Sequence, residues 1–224
     1  KHDVFLMHGW GMTEMSPLGT ATVKTKEMED MDIEARYDLQ QKQGKAFFGV
    51  EMTIADDDGN ELPQDGVAFG RLLVKGPTIV DTYFKSNDSA KDENGWFDTG
   101  DVAKIHPEGY MEIVDRSKDV IKSGGEWISS IDLENAAVGH PGVAEACVIG
   151  VLHAKWDERP LLLIVKATNE DPSKEDILKY LEDKVAKWWL PDEIVFVEEL
   201  PHTATGKLLK TGLREDYKNH LINK

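Results

Sequence analysis

A change of hydrophobic period near the middle of the chain limits the fold more than any other feature. Before Asp115, short stretches such as Val50–Ala55 alternate apolar and polar residues, which is typical of half-buried strands. After Lys118, apolar strand runs alternate with helical patterns. A charged stretch, Asp115–Asp119, with no apolar face to bury, separates the two halves. We therefore expect an α+β chain, with a mostly β part before this boundary and a mixed α/β module after it.

Capping residues predict where the helices of the second half begin. Ser129 caps a helix through Asp132, and Ser173 and Asp176 form a capping box before a second helix. The second helix is expected to continue until Pro191 stops it. A short helix is expected from Lys207 onward. The apolar runs predict strands at Val143–Leu152, Leu161–Ala167 and Ile194–Val197.

Charge and cysteine content exclude several classes of protein. The 224 residues carry 42 acidic and 26 basic side chains, a formal net charge of −16, which argues against nucleic acid as a partner. No apolar run approaches the ~18 residues of a membrane span, so no transmembrane segment is expected. Cys147, the one cysteine, lies in an apolar strand, so we expect a buried structural thiol. A cytoplasmic location is the prediction from this cysteine usage and from the lack of a secretory pattern.

Gly9–Glu14 is the first of four clusters that suit nucleotide chemistry. Glycine lets backbone approach a ligand closely, and Trp10 offers a flat face for a base. Thr13 offers a hydroxyl to a phosphate oxygen, and Glu14 offers a carboxylate to Mg²⁺. The alternative is an ordinary strand-to-helix turn with Thr13 as its cap.

Three further clusters are individually weak. Asp101, placed at the end of a Gly-containing turn, could accept hydrogen bonds from a ribose diol, or the segment could be a simple Asx turn. The corner Gly124–Gly125 could let a ligand pass close to the backbone, or could be a solvated hairpin. The loop Leu200–Lys207 delivers one lysine suited to phosphate, or is only the entry to a helix.

In this order and spacing, the four clusters resemble the core motifs of the adenylate-forming superfamily. That superfamily includes acyl-CoA synthetases, adenylation domains of peptide synthetases and beetle luciferases. The segments 115–130 and 153–160 look most like medium- and long-chain fatty acyl-CoA synthetases. The family's phosphate loop, which lies upstream of the first cluster, is absent here. The resemblance therefore implies a C-terminal part: residues 1–117 as the β-rich, distorted barrel-like end of the large N-terminal domain, and residues 118–224 as the small, mobile, mixed α/β domain.

The resemblance implies a two-step reaction and a role for each candidate residue. A carboxylic acid, expected to be a fatty acid, attacks ATP to give acyl-AMP, and coenzyme A then takes the acyl group and releases AMP. For the nucleotide, the resemblance implies that Trp10 stacks on adenine, with Gly11 and Met12 beside it, that Thr13 binds the α-phosphate, and that Asp101 and Arg116 bind the ribose hydroxyls. It implies that Glu14 ligates Mg²⁺ and that Lys207 stabilises charge in the transition state. It also implies that coenzyme A passes Gly124, Gly125, Glu126 and Trp127, and that Lys118 is a hinge.

Several alternatives remain open from the residues alone. Another adenylate-forming enzyme, such as an aryl or amino acid adenylation domain or a luciferase-like oxygenase, would use similar residues. A nucleotide-binding fragment without turnover is the non-enzymatic reading. The isolated chain is expected to be inactive without its N-terminal part, which is its expected partner. The exact acid and the oligomeric state, including a homodimer, stay open.

Overall fold

The chain divides into two compact units, Lys1–Ser117 and Lys118–Lys224. The computed structural model describes residues 4–204 and 206–222. These residues contain twelve strands and five α-helices, so the expected α+β class is confirmed. None of the described helices has the length and apolar content that crossing a bilayer requires.

The first unit contains two antiparallel sheets. A small sheet joins β1 (Gly9–Gly11), β2 (Leu18–Ala21) and β3 (Lys45–Ala46). A larger sheet joins, in chain order, β4 (Glu51–Ala55), β5 (Phe69–Lys75), β6 (Phe97–Ile105) and β7 (Met111–Arg116). Among the described residues these sheets stay open and do not close into a barrel. Their buried core includes Ile54, Leu72, Val74, Ile105 and Met111.

Two helices of this unit were not expected from the sequence. They are α1 (Lys26–Asp30) and α2 (Ile33–Gln41), in a half that was expected to be mostly β. Thr25 caps α1 and Asp32 caps α2 by accepting backbone N–H bonds. No residue of α2 is fully buried, and its apolar residues do not gather on one face of the helix, so the sequence gives little amphipathic signal. The expectation of a mostly β first half holds, but it did not include these two helices.

The second unit is a five-stranded sheet covered on both faces. Its strands are β8 (Ile121–Ser123), β9 (Glu126–Ile128), β10 (Val143–His153), β11 (Asp157–Lys166) and β12 (Glu193–Phe196). Strands β10 and β11 form an antiparallel hairpin, and β12 pairs in parallel with β11.

Alternate residues of β10 and β11 point to opposite faces of this sheet. One face packs with α3 (Ser130–Val138) and α4 (Lys174–Glu182), and its core includes Val148 and Leu162. The other face packs with α5 (Lys210–Tyr217), and its core includes Cys147 and Leu163. Burial on both sides explains the continuous apolar runs at the centres of these strands, Ala146–Ile149 in β10 and Leu161–Val165 in β11.

The predicted caps are confirmed, and some predicted ends are corrected. Ser129 Oγ accepts the N–H of Asp132, and Ser173 forms the full capping box with Asp176. Helix α4 ends at Glu182 instead of running to Pro191, and the N–H of Lys184 donates to the carbonyl of Leu181, three residues back, in a tightened last turn. Helix α5 starts at Lys210, three residues beyond the expected point.

Candidate functional site

Asp101 lies inside a strand, not at the end of a turn as the sequence suggested. In β6, Asp98 pairs with Leu73 and Val102 pairs with Arg71, so three residues of β6 oppose one residue of β5. This is a β-bulge, which re-aims side chains locally. Gly100, at its centre, has φ of 71°, a conformation that glycine adopts without strain.

Side-chain hydrogen bonds fix this bulge. Thr99 Oγ1 donates to the carbonyl of Leu72 at 2.9 Å and accepts the N–H of Asp101 at 3.1 Å. The N–H of Gly100 donates to Asp98 Oδ1 at 2.9 Å. These bonds satisfy backbone groups that the regular ladder leaves unpaired, and they hold the carboxylate of Asp101 in a buried position.

Three of the predicted site residues meet at the carboxylate of Asp101. Trp10 Nε1 donates to Asp101 Oδ2 at 2.8 Å, and Arg116 Nε lies 3.0 Å from Asp101 Oδ1. Asp101 is only 4% exposed. Burial raises the pKa of this carboxyl, while the Trp10 N–H and the Arg116 charge oppose that rise. The indole and the guanidinium therefore take part in one polar cluster, although they come from distant parts of the sequence.

The first cluster forms the whole of β1 and enters a 3-10 turn, Thr13–Met15. Gly11 ends the strand, and Met12 occupies the capping position without any side-chain cap bond. The reading of Thr13 as a helix cap is therefore wrong, and its side chain is exposed. Trp10 and Met12 are half-buried against the core of the first unit. The cluster thus packs two apolar side chains on the core and leaves the side chain of Thr13 exposed to another partner.

Glu14 follows in the same turn and has a neighbour that the sequence did not indicate. The hydroxyl of Tyr83 donates to Glu14 Oε1 at 3.0 Å, and the N–H of Val80 donates to the carbonyl of Glu14 at 2.8 Å. Burial and the Glu14 carboxylate raise the pKa of Tyr83. Tyr83 lies in a long irregular stretch without hydrophobic periodicity, so no sequence pattern could have placed it there.

The junction between the units is less exposed than the sequence suggested. Strand β7 continues through Arg116, and Asp115 is 1% exposed, so the expectation that this charged run buries nothing was wrong at Asp115. Its carboxylate accepts the N–H of Arg116 at 2.7 Å. Lys118 itself is exposed in a turn between β7 and β8. Arg214 Nη1 donates to the carbonyl of Lys118 at 3.0 Å and also contacts the carboxylate of Asp119.

Gly124 and Gly125 form the two-residue turn between β8 and β9. Ser123 pairs with Glu126, and both glycines have positive φ, 60° and 88°, as the compact turns of β-hairpins require. The N–H of Gly124 donates to the carbonyl of Trp156 at 2.9 Å. The corner is therefore a hairpin turn, and it offers backbone with no Cβ.

Next to this turn, Trp127 lies in β9, where Lys122 Nζ sits 5.1 Å from its ring centre. Glu126 is exposed at the start of the same strand.

Lys207 extends from a loop that closes on itself. Its N–H donates to Thr203 Oγ1 at 3.1 Å, and its carbonyl accepts the N–H of Thr203 at 2.7 Å. Its side chain is exposed. Thr205, part of the predicted loop motif, lies outside the described residues. The predicted residues thus fall into two groups: Trp10–Glu14, Asp101 and Arg116 in the first unit, and Gly124–Trp127 and Lys207 in the second.

Two family models match the chain and together span more than half of it. Residues 2–84 match the AMP-binding enzyme model, and residues 132–207 match the AMP-binding enzyme C-terminal domain. The chain belongs to the adenylate-forming, AMP-binding enzyme family. The first model includes the cluster around Trp10, and the second ends at Lys207.

Relatives of this AMP-binding chain include several CoA ligases. A 3-methylmercaptopropionyl-CoA ligase of Ruegeria lacuscaerulensis is 55% identical over 99% of the chain, and a medium-chain fatty acid–CoA ligase of Ectopseudomonas oleovorans is 46% identical over the same share. The chain spans about two fifths of the length of these relatives, 41% and 40%. Among solved structures, ATP-bound MatB of Rhodopseudomonas palustris is 30% identical, with a TM-score of 0.80, over 96% of this chain and 41% of that one.

Proposed function

We propose that this chain is the C-terminal part of an ATP-dependent acyl-CoA synthetase. The observation that carries the proposal is the 55% identity over 221 residues to a 3-methylmercaptopropionyl-CoA ligase. The reaction joins a carboxylic acid to the α-phosphate of ATP, releases pyrophosphate, and then transfers the acyl group to the thiol of coenzyme A with release of AMP. The names of the relatives support an aliphatic acid as substrate, either a fatty acid or a thioether acid.

In the first unit, we assign nucleotide binding to the Asp101 cluster. The bond from Trp10 Nε1 to Asp101 fixes the plane of the indole, so one ring face can stack on adenine beside Gly11 and Met12. Arg116 and the carboxylate of Asp101 offer a donor and acceptors to the ribose hydroxyls. The exposed hydroxyl of Thr13 suits a phosphate oxygen.

Glu14 suits a magnesium site in which the protein supplies only one or two of the metal ligands. Among the described residues, no group of three or more acidic, histidine or cysteine side chains is placed to hold a metal ion. Mg²⁺ commonly takes one or two carboxylates and completes its shell with water and substrate phosphates. Glu14 would supply that carboxylate, with Tyr83 orienting it. Bound Mg²⁺ would neutralise phosphate charge during adenylation.

In the second unit, we assign the two half-reactions to different residues. Lys207 stabilises charge on the carboxylate and phosphate oxygens during adenylation. The Gly124–Gly125 turn, with Glu126 and Trp127, borders the path of the coenzyme A arm during thioester formation. We further propose that residues 118–224 are the mobile C-terminal domain, that residues 1–117 end the large domain, and that Lys118 is the hinge.

The test separates the half-reactions in the complete enzyme that contains this segment. Lys207→Ala should cripple acyl-adenylate formation, measured by ATP–pyrophosphate exchange, and should spare thioester formation from preformed acyl-adenylate. Gly125→Leu should show the reverse pattern because its side chain crowds the thiol path. Equal slowing of one half-reaction by both variants would contradict the assignment.

Activity with amino or aryl acids only, or transfer to a carrier instead of coenzyme A, would favour another adenylate-forming enzyme. Nucleotide binding without turnover would favour the non-catalytic alternative.

A further inference from the structure

Three contacts anchor the loop that carries Lys207 to the second unit. His202 Nε2 lies 3.4 Å from Glu145 Oε2 of β10, and Leu208 packs on the core that contains Cys147. The third anchor is the residue that begins α5, directly after the loop. The loop closes on itself through Thr203 and Lys207, and the N–H of Leu209 donates to the carbonyl of Pro201 at 2.8 Å. Helix α5 starts at the next residue, Lys210. Three residues span at most about 10 Å, so the position of Lys210 restricts where Lys207 can lie.

Lys210 is held by a polar cluster that no predicted site includes. Its Nζ donates to Ser130 Oγ at 2.7 Å and lies 2.7 Å from Glu134 Oε1. The Lys210 and Glu134 side chains are only 10% and 13% exposed. Glu134 Oε1 also accepts the N–H of Val148 at 2.8 Å. This cluster, Lys210–Glu134–Ser130, joins the start of α5 to α3 and to β10.

The stability of α5 does not explain why its first residue is a lysine. The first turn of a helix carries partial positive charge, so a cation there is unfavourable. The preceding residue, Leu209, supplies no side-chain cap. The buried carboxylate of Glu134 offsets the unfavourable charge of the lysine and gives its side chain one defined orientation.

We propose that Lys210 is a positioning residue for Lys207: the Lys210–Glu134–Ser130 cluster fixes the start of α5 and thereby the reach of the Lys207 loop during adenylation. The inference rests on the proposed role of Lys207. It predicts that loss of the cluster slows adenylation without affecting transfer to coenzyme A, because only the first step uses Lys207.

The experiment compares three substitutions in the complete enzyme. Lys210→Met keeps the length of the side chain and removes its charge, and should lower the adenylation rate by about 10-fold to 100-fold through misplacement of Lys207. Thioester formation from preformed acyl-adenylate should remain unchanged. Lys210→Arg keeps the charge and should restore most of the adenylation rate.

Lys174→Met is the matched control. Lys174 also begins a helix, α4, and pairs with a glutamate, Glu193 of β12, in the same unit. It lies outside every proposed site, so both half-reactions should stay normal in this variant.

The outcomes separate failure of this inference from failure of the proposed function. If Lys207→Ala leaves adenylation normal, the proposed role of Lys207 fails. If Lys207→Ala cripples adenylation but Lys210→Met does not, or if Lys210→Met slows both half-reactions equally, the positioning role fails.

Should Lys210→Met not fold, Lys210→Gln combined with Glu134→Gln replaces the ion pair by a neutral pair and avoids an isolated buried charge. The double variant should fold, and its adenylation rate should fall while its rate of thioester formation stays normal. Equal slowing of both steps would overturn the inference.

Discussion

Asp101 shows how one buried carboxylate can organise a surface that binds a ligand. Its two oxygens hold an indole N–H from β1 and a guanidinium from β7. Burial disfavours its charged form, and the two donors only partly offset this. Keeping the Asp101 carboxylate charged therefore lowers the stability of the folded chain. Such a cost is common for residues that serve binding more than folding.

The pH dependence of stability tests this view of Asp101. Its folded-state pKa lies above the unfolded value of about 3.9, so the native state binds more protons in that interval. Stability should therefore fall as the pH rises from about 4 through the folded pKa. Asp101→Asn should flatten this fall, measured as urea midpoints against pH. Asp88→Asn, in an exposed loop, is the control, and equal slopes in all three proteins would contradict the prediction.

At the scale of elements, the stability lost from the β8–β9 hairpin should depend on which of its two turn glycines is replaced. A Cβ on Gly124 would lie 2.8 Å from Cε3 of Trp156, whereas a Cβ on Gly125 would meet open space. Both positions have positive φ, which costs an alanine roughly 1–2 kcal/mol.

Gly124→Ala should therefore destabilise the chain more than Gly125→Ala. The additional crowding against Trp156 adds about 1 kcal/mol, since overpacking typically costs 1–3 kcal/mol and Trp156 is partly free to shift. Urea unfolding of the two variants gives the comparison directly. A larger loss for Gly125→Ala would mean that the turn is seated differently against the β10–β11 hairpin.

Elements with local signals were predictable, and those fixed by distant partners were not. Ser173 and Asp176 form their capping box within one turn, so the sequence places the start of α4 correctly. The bulge at Gly100 needs Leu72 of another strand, and the contact from Tyr83 to Glu14 crosses 69 positions of sequence. Helix α2 has no fully buried residue, and its sequence lacks the single apolar face by which an amphipathic helix is predicted. The candidate site residues were predicted from the family motifs and remain a prediction, whereas the contacts between them could be described only from the structure.

At the scale of the whole molecule, two separate cores make a hinge physically reasonable. The units divide between Ser117 and Lys118, and each has its own buried apolar clusters. Within the described residues, the N–H of Lys118 donates to no partner, while its carbonyl accepts from Arg214. Proline can therefore replace Lys118 without removing an observed hydrogen bond of that N–H.

Lys118→Pro in the complete enzyme should keep the fold and impair one half-reaction, because fixed φ restricts a hinge that needs two backbone states. Circular dichroism reports the fold, and separate adenylation and thioester assays report the two steps. Lys118→Ala, which removes the side chain and leaves φ free, should have the smaller effect. Normal rates for both steps in the proline variant would show that the backbone rotates elsewhere.

The parallel pairing of β12 with β11 also determines the order in which the strands of the second unit can fold. Antiparallel neighbours β10 and β11 are joined by a short turn and can form early, whereas the parallel edge strand must wait for the chain to return across α4. Until residues 193–196 arrive, one edge of β11 has unpaired backbone groups between apolar side chains. During synthesis the unpaired edge of β11 is therefore open to pairing with other chains, and a chain that ends before β12 should aggregate more than one that includes it.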